Sequence, residues 1–410
     1  MILKVIFYYI MIALNKEQLA ILNDIQLGKN VFMTGPAGTG KTTTLSEIVN
    51  YANQKRIHYG LTAMTGTAAT LINGKTLHSF LGIGLAEESA EALALQVKNF
   101  YKKYNALRKL QLLIIDELSM MSEDLFTKIS EFLSIIKGND LPFGGVQMVL
   151  SGDFYQLPPV QGMYCFKSPV WETLNLKSYN LKINYRQHSD PILQTILQNI
   201  RDNTISKEDI LELKKCKQTT FPNHIQPTRI YALNKHVDKI NEQYYKHLLT
   251  LYSSTEKSYP GEKKPISLCL HAQVMVTRNI NTDAGIVNGT RGSITKLEED
   301  TVWIQTMSNE TIPIRIFEVK DDKKKVYYSY MPLCLAYAIT VHKAQGVSLD
   351  AAEIDLGGDI FEYGQAYTAL SRIRNLNGLK VLNIKRKSFK NHPDVIDFYT
   401  KQFELLQEYL

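Results

Sequence analysis

One octapeptide constrains this chain more than any other feature. The segment GPAGTGKT at residues 35–42 fits the pattern G-x-x-x-x-G-K-[ST] of a phosphate-binding loop. An apolar run at residues 31–34 precedes it and residues 42–51 suit a helix, which is the context such a loop requires. The glycines expose backbone N–H groups, and the helix adds the positive end of its dipole. Both favour the binding of phosphate oxygens. The segment therefore predicts a nucleotide site, against the alternative of an ordinary glycine-rich turn.

The loop residues have predicted parts in binding the nucleotide. The Lys41 ammonium would reach the β- and γ-phosphates, and the Thr42 hydroxyl would be a ligand of Mg²⁺. The chemistry thus predicts a nucleoside triphosphate together with Mg²⁺. The predicted nucleotide-binding residues of the loop are Gly35, Pro36, Ala37, Gly38, Thr39, Gly40, Lys41, Thr42 and Thr43.

Two adjacent carboxylates at the end of an apolar run indicate the type of reaction. Residues 112–115 fit a buried strand, and Asp116 and Glu117 follow it directly. Asp116 would hold the coordination shell of Mg²⁺, and Glu117 would polarise the attacking water as general base. A kinase that transfers phosphate to a metabolite does not need the second acid. The alternative, an acidic cap on a following helix, is weak beside a phosphate loop.

Strand-like and helix-like patterns alternate along most of the chain. Residues 144–150 form another apolar run, and apolar side chains recur at helical spacing over residues 122–136. A strand over residues 229–233 and a helix over 235–250 continue the alternation, which predicts parallel sheets covered by helices. Residues 265–335 instead carry short alternating segments between turn residues, which predict a small β-rich insertion.

Composition permits a polyanionic partner without requiring one. The 410 residues, enough for two or three domains, include 47 Lys and Arg against 40 acidic residues, a net charge of +7. A solvated surface with an incidental surplus explains that charge equally well. Just 11 of the basic residues are Arg, so each Arg is a candidate for bidentate phosphate contact. The four cysteines form no CxxC or Cys/His cluster, which predicts neither a structural metal nor disulfides.

The N-terminus carries an unusual apolar run. Residues 5–14 are uninterrupted apolar residues, too few to cross a bilayer, and no small-x-small cleavage site follows them. We interpret residues 1–14 as an extension and Met11 as the native start. No other stretch of the sequence approaches 18 apolar residues, so no membrane span is predicted.

Several motifs together resemble those of superfamily-one DNA helicases. They are DELSM at residues 116–120, GDFYQLPPV at residues 152–160 and QAYTALSR at residues 365–372. The lead-in LPFGG at residues 141–145 resembles most the PIF (petite integration frequency) branch, a relative of RecD. The resemblance extends from about residue 15 to about residue 382.

The resemblance implies roles at the nucleotide, which would be ATP. Gln18 would read the adenine edge, although alone it would be an ordinary helix glutamine, and Gln156 matches the γ-phosphate sensor. Arg186 and Arg372 match two arginine fingers that stabilise transition-state charge, although either alone would suit a surface ion pair. The implied catalytic residues are Lys41, Glu117, Gln156, Arg186 and Arg372, with Thr42 and Asp116 on Mg²⁺.

The implied contacts to single-stranded DNA depend on weaker patterns. TAMTGTAA at residues 62–69 and TLHSF at 76–80 match contact segments of the first domain, and AITVHKAQG at 338–346 matches one of the second. Small hydroxylated residues suit phosphate contact, and an aromatic ring can stack on a base. Phe80, between two leucines, fits a core position equally well. The implied DNA-binding residues are Thr65, Gly66, His78, Phe80, Thr340, His342 and Lys343.

By resemblance, the fold is α/β, with two RecA-like P-loop NTPase domains whose parallel sheets are flanked by helices. The first domain would carry a wedge insertion near residues 66–108. The second would carry a small SH3-like β-barrel. The implied ranges are 15–182 for the first motor domain, 183–264 and 336–410 for the second, and 265–335 for the barrel.

The activity implied is that of an ATP-dependent DNA helicase. It would move 5′-to-3′ on single-stranded DNA and unwind duplex, fork or structured DNA in repair, recombination, replication or telomere maintenance. Two alternatives remain: a translocase that remodels protein–DNA complexes without unwinding, and a binding protein whose ATPase has decayed. The presence of every catalytic side chain argues against the second. A monomer is expected, without membrane association, cytoplasmic if bacterial or viral and nuclear or mitochondrial if eukaryotic.

Overall fold

The computed structural model describes most of the chain. The described residues are 14–221, 227–252, 256–261, 264–278, 280–281, 286, 289–306, 309–320 and 326–404. Residues 1–13, which make up nearly all of the predicted N-terminal extension, lie outside them.

The helices of the described residues are numbered α1 to α14 in chain order. Their bounds are Lys16–Gln26, Lys41–Gln54, Gly66–Leu71, Leu77–Leu81, Ala90–Lys98, Tyr101–Arg108, Glu123–Lys137, Pro169–Thr173, Pro191–Arg201, Lys207–Lys215, Asn234–Tyr252, Val341–Ala344, Gln365–Leu370 and Pro393–Tyr399.

The strands of the same residues are numbered β1 to β19. Their bounds are Val31–Thr34, Tyr59–Ala63, Lys75–Thr76, Leu112–Asp116, Gln147–Ser151, Lys177–Asn180, Thr228–Tyr231, Lys257–Tyr259, Ile266–Leu268, Gln273–Val276, Arg291–Leu297, Thr301–Thr306, Thr311–Arg315, Phe317–Lys320, Val326–Tyr330, Leu333–Leu335, Ala338–Thr340, Ala352–Leu356 and Leu379–Ile384.

A six-stranded parallel sheet organises the first half of the chain. Its strand order is β3-β2-β4-β5-β1-β6. Met33 pairs with Ser151, and Ala63 pairs with Asp116. Since all strands run in one direction, their carboxyl ends share one edge of the sheet. That edge brings the start of the phosphate loop close to the acidic end of β4, which is where ligands bind in open parallel sheets.

A second parallel sheet has the order β17-β7-β18-β19. Ile230 of β7 pairs with Ile339 on one side and with Ile354 on the other, and all three are buried. Helices α9, α10 and α13 supply apolar side chains to the core that this sheet shares. The predicted α/β fold with two parallel sheets is therefore confirmed.

Residues of the predicted β-rich insertion form antiparallel strands. Five of them have the order β13-β12-β11-β10-β16, and β14 pairs with β15. Strand β9 pairs with β8, which precedes the predicted range. Val274, Ile294 and Ile304 are fully buried in a separate apolar cluster. The description of this unit as an SH3-like barrel stays a prediction.

One predicted strand begins later than the sequence pattern indicates. The apolar run from residue 144 predicts a strand over 144–150, whereas β5 starts at Gln147. Phe143, Gly144 and Gly145 have φ values of 53°, 62° and 73°, all left-handed. Such backbone cannot pair in a sheet, so the glycines form a turn that leads into the strand.

The last helix, α14, packs on the first sheet and not on the second. Phe398 stacks on Phe166 with ring centroids 4.4 Å apart, and Tyr399 is buried in the same aromatic cluster. The Tyr399 hydroxyl lies 2.6 Å from Thr34 Oγ1 and accepts a hydrogen bond from Phe154 N at 3.1 Å. The helix therefore contacts both the strand before the phosphate loop and the segment after β5.

None of the helices in the described part of the chain combines the length and apolar character that a bilayer crossing needs.

Candidate nucleotide site between two parallel sheets

The phosphate loop connects β1 to α2, in the strand-to-helix context that the sequence predicts. Gly38 and Gly40 have φ values of 89° and 85°, which glycine adopts without steric cost. Space is also restricted at both positions. A Cβ at Gly38 would lie 2.5 Å from Arg186 Cβ, and one at Gly40 would lie 2.7 Å from Gln18 Nε2. The loop therefore packs closely against α1 and against the segment that leads from β6 to α9.

The Lys41 side chain folds back over the loop. Its Nζ donates hydrogen bonds to Gly35 O at 2.7 Å and to Pro36 O at 3.0 Å. An ammonium has three donors, so one remains for a phosphate oxygen. Burial lowers the pKa of Lys41, while the carboxylates of Asp153 and Glu117 act in the opposite direction. Lys41 thus presents a positive charge within the loop, in a site with acidic neighbours.

Asp116 and Glu117 stand at the carboxyl end of β4, at the same sheet edge as the loop. Ser151 Oγ donates a hydrogen bond to Asp116 Oδ1 at 2.7 Å. Glu117 has φ 55°, a left-handed conformation that is uncommon for residues with a Cβ and is concentrated at functional sites. Burial and the neighbouring Asp116 raise the pKa of Glu117 to about 7. A carboxyl group with such a pKa is suited to take a proton near neutral pH.

Two arginines from beyond the last strand of the first sheet meet at Ser371. Arg186 Nη1 donates to Ser371 O at 2.9 Å, and Arg372 Nη2 donates to Ser371 Oγ at 2.7 Å. Arg372 Nη2 also lies 3.5 Å from Gln156 Oε1, on the chain that follows β5. Burial and the neighbouring Arg372 charge together lower the pKa of Arg186 to about 9. Two cations so close together, one half-buried and one buried, favour binding of an anion between the sheets.

Gln18 lies at the far side of the loop, 3% exposed. Its Oε1 accepts from Asn15 N at 2.9 Å in the capping box of α1, and its Nε2 donates to Gly40 O at 3.3 Å. One donor hydrogen and one lone pair of the amide remain for a base edge. The half-exposed Tyr185 ring lies against Gly40, and its hydroxyl accepts from Asn15 Nδ2 at 3.1 Å. Tyr185 thus adds an aromatic face at this end of the site.

These side chains surround one cavity of about 780 Å³. That volume is within the range of ligand pockets. The predicted residues that line the cavity are Gln18, Ala37, Gly38, Gly40, Lys41, Thr42, Thr43, Asp116, Glu117, Gln156, Arg186 and Arg372. The structure thus brings together the predicted catalytic and metal-binding side chains and most of the phosphate loop.

A buried charge cluster lies beside the site. Arg201 of α9 pairs with Asp153, which follows β5, at 2.5 Å. The Tyr367 hydroxyl donates to Asp153 Oδ2 at 3.2 Å and accepts from Ala37 N, within the phosphate loop, at 3.4 Å. The Arg201 guanidinium carbon lies 4.6 Å from the centre of the Tyr155 ring. This cluster connects the loop, the Gln156 segment and both halves of the molecule.

The candidate DNA contacts of the first half occupy mixed environments. The Thr65 side chain accepts from Ala68 N and caps α3, and Gly66 opens that helix with open space around it. His78 is half-buried, and burial lowers its pKa. Phe80 is also half-buried and packs so closely on Gly60 that a Cβ there would lie 2.5 Å from its ring. These contacts favour the core interpretation of Phe80.

The candidate contacts of the second half surround α12. Thr340 is 4% exposed, and its hydroxyl accepts from Lys343 N at 3.2 Å, so it caps the helix. His342 and Lys343 are exposed on that helix. A cation on a short exposed helix is open to a DNA phosphate.

Several side chains at the site have no role in the sequence-based prediction. Among them are Tyr185, Arg201 and Gln345. Tyr185 directly precedes the predicted finger Arg186, and Gln345 lies inside the predicted second-domain DNA segment, so sequence position was an available signal for both. Arg201 lies in no motif. The scarcity of Arg does not single it out either, because eight other arginines also lie outside the two predicted fingers.

A phosphate loop lies at the edge of one parallel sheet, and arginines reach it from beside the other. This arrangement defines a two-domain P-loop NTPase. The PIF1-like helicase family model matches residues 13–212, and the Pif1 2B-domain model matches residues 263–297. The chain belongs to the PIF1-like helicase family, and its enzyme class is that of the ATP-dependent DNA helicases.

Named relatives agree with this assignment. ATP-dependent DNA helicase Pif1 of Psychrobacter is 32% identical over 92% of this chain and 69% of its own length. ATP-dependent DNA helicase PIF1 of Danio rerio is 34% identical over 95% of this chain, which spans just 64% of that protein.

Solved structures give the same result. The Candida albicans Pif1 helicase has a TM-score of 0.81 at 30% identity, covering 95% of this chain and all of that one. The Bacteroides Pif1 helicase in complex with ADP-AlF3 and single-stranded DNA has a TM-score of 0.71 at 28% identity, covering 95% and 98%. A structure of two coordinating Pif1 helicases unwinding forked duplex DNA has a TM-score of 0.72 at 28% identity, covering 96% and 98%.

Proposed function

We propose that this chain couples ATP hydrolysis to 5′-to-3′ movement along single-stranded DNA and so unwinds duplex or forked DNA. The observation that carries the proposal is the approach of Arg186 and Arg372, from beside the second sheet, to the phosphate loop of the first. A cleft with catalytic groups on both walls is complete when it is closed and incomplete when it is open. Nucleotide binding and release therefore change the relative position of the two sheets, and this movement drives the motor.

The geometry supports the proposed roles in hydrolysis. Lys41 and the loop N–H groups bind the phosphates, and Glu117 takes a proton from the attacking water. Gln156, in contact with Arg372, senses the γ-phosphate. Arg186 and Arg372 stabilise the charge that the transition state spreads over the phosphoryl oxygens.

The structure also supports the two proposed oxygen ligands of Mg²⁺. Thr42 and Asp116 both line the cavity, and hydroxyl and carboxylate oxygens are the ligands that this ion prefers. Ser151 holds Asp116 Oδ1 at 2.7 Å and leaves the other carboxylate oxygen for the ion. Mg²⁺ would neutralise phosphate charge there. Among the described residues no group of three or more His, Cys, Asp or Glu is placed to hold a further metal ion.

Single-stranded DNA is the proposed track. The exposed His342 and Lys343 and the open start of α3 at Gly66 supply contacts on the two halves. The Bacteroides Pif1 complex with single-stranded DNA supports such a track for this chain. We propose a monomer as the translocating unit, with the ranges 15–182 and 183–264 plus 336–410 as its two motor domains.

A strand-displacement assay tests the function. Duplexes with a 5′ or a 3′ single-stranded tail are incubated with the full chain, ATP and Mg²⁺. We expect displacement of the 5′-tailed duplex alone. Preference for the 3′ tail would overturn the proposed polarity. DNA-stimulated ATP turnover without displacement of either duplex would instead indicate a translocase that remodels protein–DNA complexes.

A further inference from the structure

A glutamine from the second half of the chain hydrogen-bonds the proposed general base. Gln345 directly follows α12, and its Nε2 donates to Glu117 Oε2 at 2.7 Å. Gln345 is 2% exposed, and Glu117 is half-buried at the wall of the cavity. Within the part of the chain that the structure describes, no other side chain hydrogen-bonds this carboxylate. The orientation of Glu117 therefore depends on a residue from the other wall of the cleft.

The Gln345 amide has no hydrogen-bonding role in its own half of the molecule. Its Oε1 is buried and has no hydrogen-bond partner among the described residues. A carboxylate only accepts, so the amide cannot turn round without losing its bond to Glu117. The buried Gln273 differs, because its Nε2 donates to Ala336 O at 2.9 Å within its own half. The single bond of Gln345 across the cleft fits positioning better than packing.

Gln345 is also joined to the exposed residues of α12. Its backbone N donates a hydrogen bond to His342 O at 3.3 Å, and Lys343 N donates one to the Thr340 hydroxyl that caps the helix. His342 and Lys343 are exposed, whereas Gln345 is buried. Because these residues form one hydrogen-bonded turn, a displacement of His342 and Lys343 is transmitted to the buried amide.

We propose that Gln345 is a positioning residue that couples DNA on α12 to water activation by Glu117, an inference that rests on the proposed function. Phosphates held by His342 and Lys343 fix α12 relative to the first sheet. Gln345 then holds the Glu117 carboxylate in one orientation toward the attacking water. When α12 is free to move, that bond breaks and turnover slows.

A single substitution tests the coupling. Gln345→Met keeps the length of the side chain and removes the donor. ATP hydrolysis by the full chain is measured over a range of ATP concentrations with and without saturating oligo(dT). We expect the DNA-stimulated kcat to fall about tenfold or more, with KM for ATP changed less than about twofold. Oligo(dT) affinity, measured by fluorescence anisotropy, should stay at the wild-type value.

A matched variant separates positioning from loss of stability. Gln273→Met removes another buried amide, remote from the cleft, and should lower the melting temperature while leaving the DNA stimulation intact. Wild-type stimulation of Gln345→Met would overturn the inference, as would equal loss of stimulation in Gln273→Met. If oligo(dT) does not raise the ATPase rate of the wild-type chain, the proposed function itself is refuted.

Discussion

Arg201 Nη1 donates a hydrogen bond to Asp153 Oδ2 at 2.5 Å, and the two side chains are 5% and 0% exposed. The pair joins α9 to the segment after β5, and thereby joins the two halves of the molecule. Loss of one partner from a buried pair leaves an uncompensated charge. We expect Arg201→Met to lower the free energy of unfolding by about 3–5 kcal/mol in urea denaturation.

A more exposed pair provides the control for that measurement. Lys167 and Asp394 lie 2.9 Å apart with 39% and 24% of their side chains exposed. Lys167→Met should therefore cost at most about 1 kcal/mol. Equal effects of the two substitutions would contradict the importance of the buried pair.

Lys41→Ala should abolish ATP turnover, because it removes the cation that the loop carbonyls of Gly35 and Pro36 hold in place. The side chain makes just these two hydrogen bonds among the described residues, so the fold should be kept. A malachite-green phosphate assay and circular dichroism give the two readouts. Lys29→Ala, which removes a surface ion pair with Asp24, is the control and should hydrolyse ATP at the wild-type rate.

Glu117→Gln keeps the shape of the proposed base and removes its ability to take a proton. We expect kcat to fall by about 10²–10⁴, the usual contribution of general base catalysis. Binding of a fluorescent ATP analogue should persist, because Lys41 and the loop are unchanged. Turnover at the wild-type rate would refute the base assignment.

Arg372→Ala should reduce kcat by about 10³–10⁵ while nucleotide affinity stays nearly unchanged, since an arginine finger acts in the transition state. Single-turnover hydrolysis and equilibrium binding separate the two effects. Arg108→Ala removes an arginine of α6 that lies over the Tyr104 ring and serves as control. A loss of binding equal to the loss of rate would indicate a ground-state contact instead.

Local sequence predicts the parts of the site that lie within a few residues of one another. The phosphate loop is such a part, because its glycines, Lys41 and Thr42 have fixed spacing between β1 and α2. The acidic end of β4 is another, since Asp116 and Glu117 follow an apolar run directly. In both cases backbone geometry alone fixes the relative position of the groups.

Two contacts between distant segments were beyond prediction. Gln345 and Glu117 are 228 positions apart, and Arg201 and Asp153 are 48 apart. Their approach depends on how the second sheet packs against the first, which no local pattern encodes. The resemblance to a family named the motifs around Gln345, Glu117 and Asp153, and none around Arg201, but it gave neither pair. The start of β5 was missed for another reason, because an apolar run does not reveal the left-handed turn at Gly144.

The docking of α14 on the first sheet has a consequence for the order of events at the ribosome. Phe398 lies 5.9 Å from Phe32 and 5.3 Å from Phe154, measured between ring centroids. Synthesis proceeds from residue 32 through the entire second sheet before Phe398 is made. Until then the nascent first sheet lacks its last aromatic partners, and part of its apolar surface stays uncovered. Such exposed apolar surface favours self-association. Successful folding of the early half thus depends on completion of the late one.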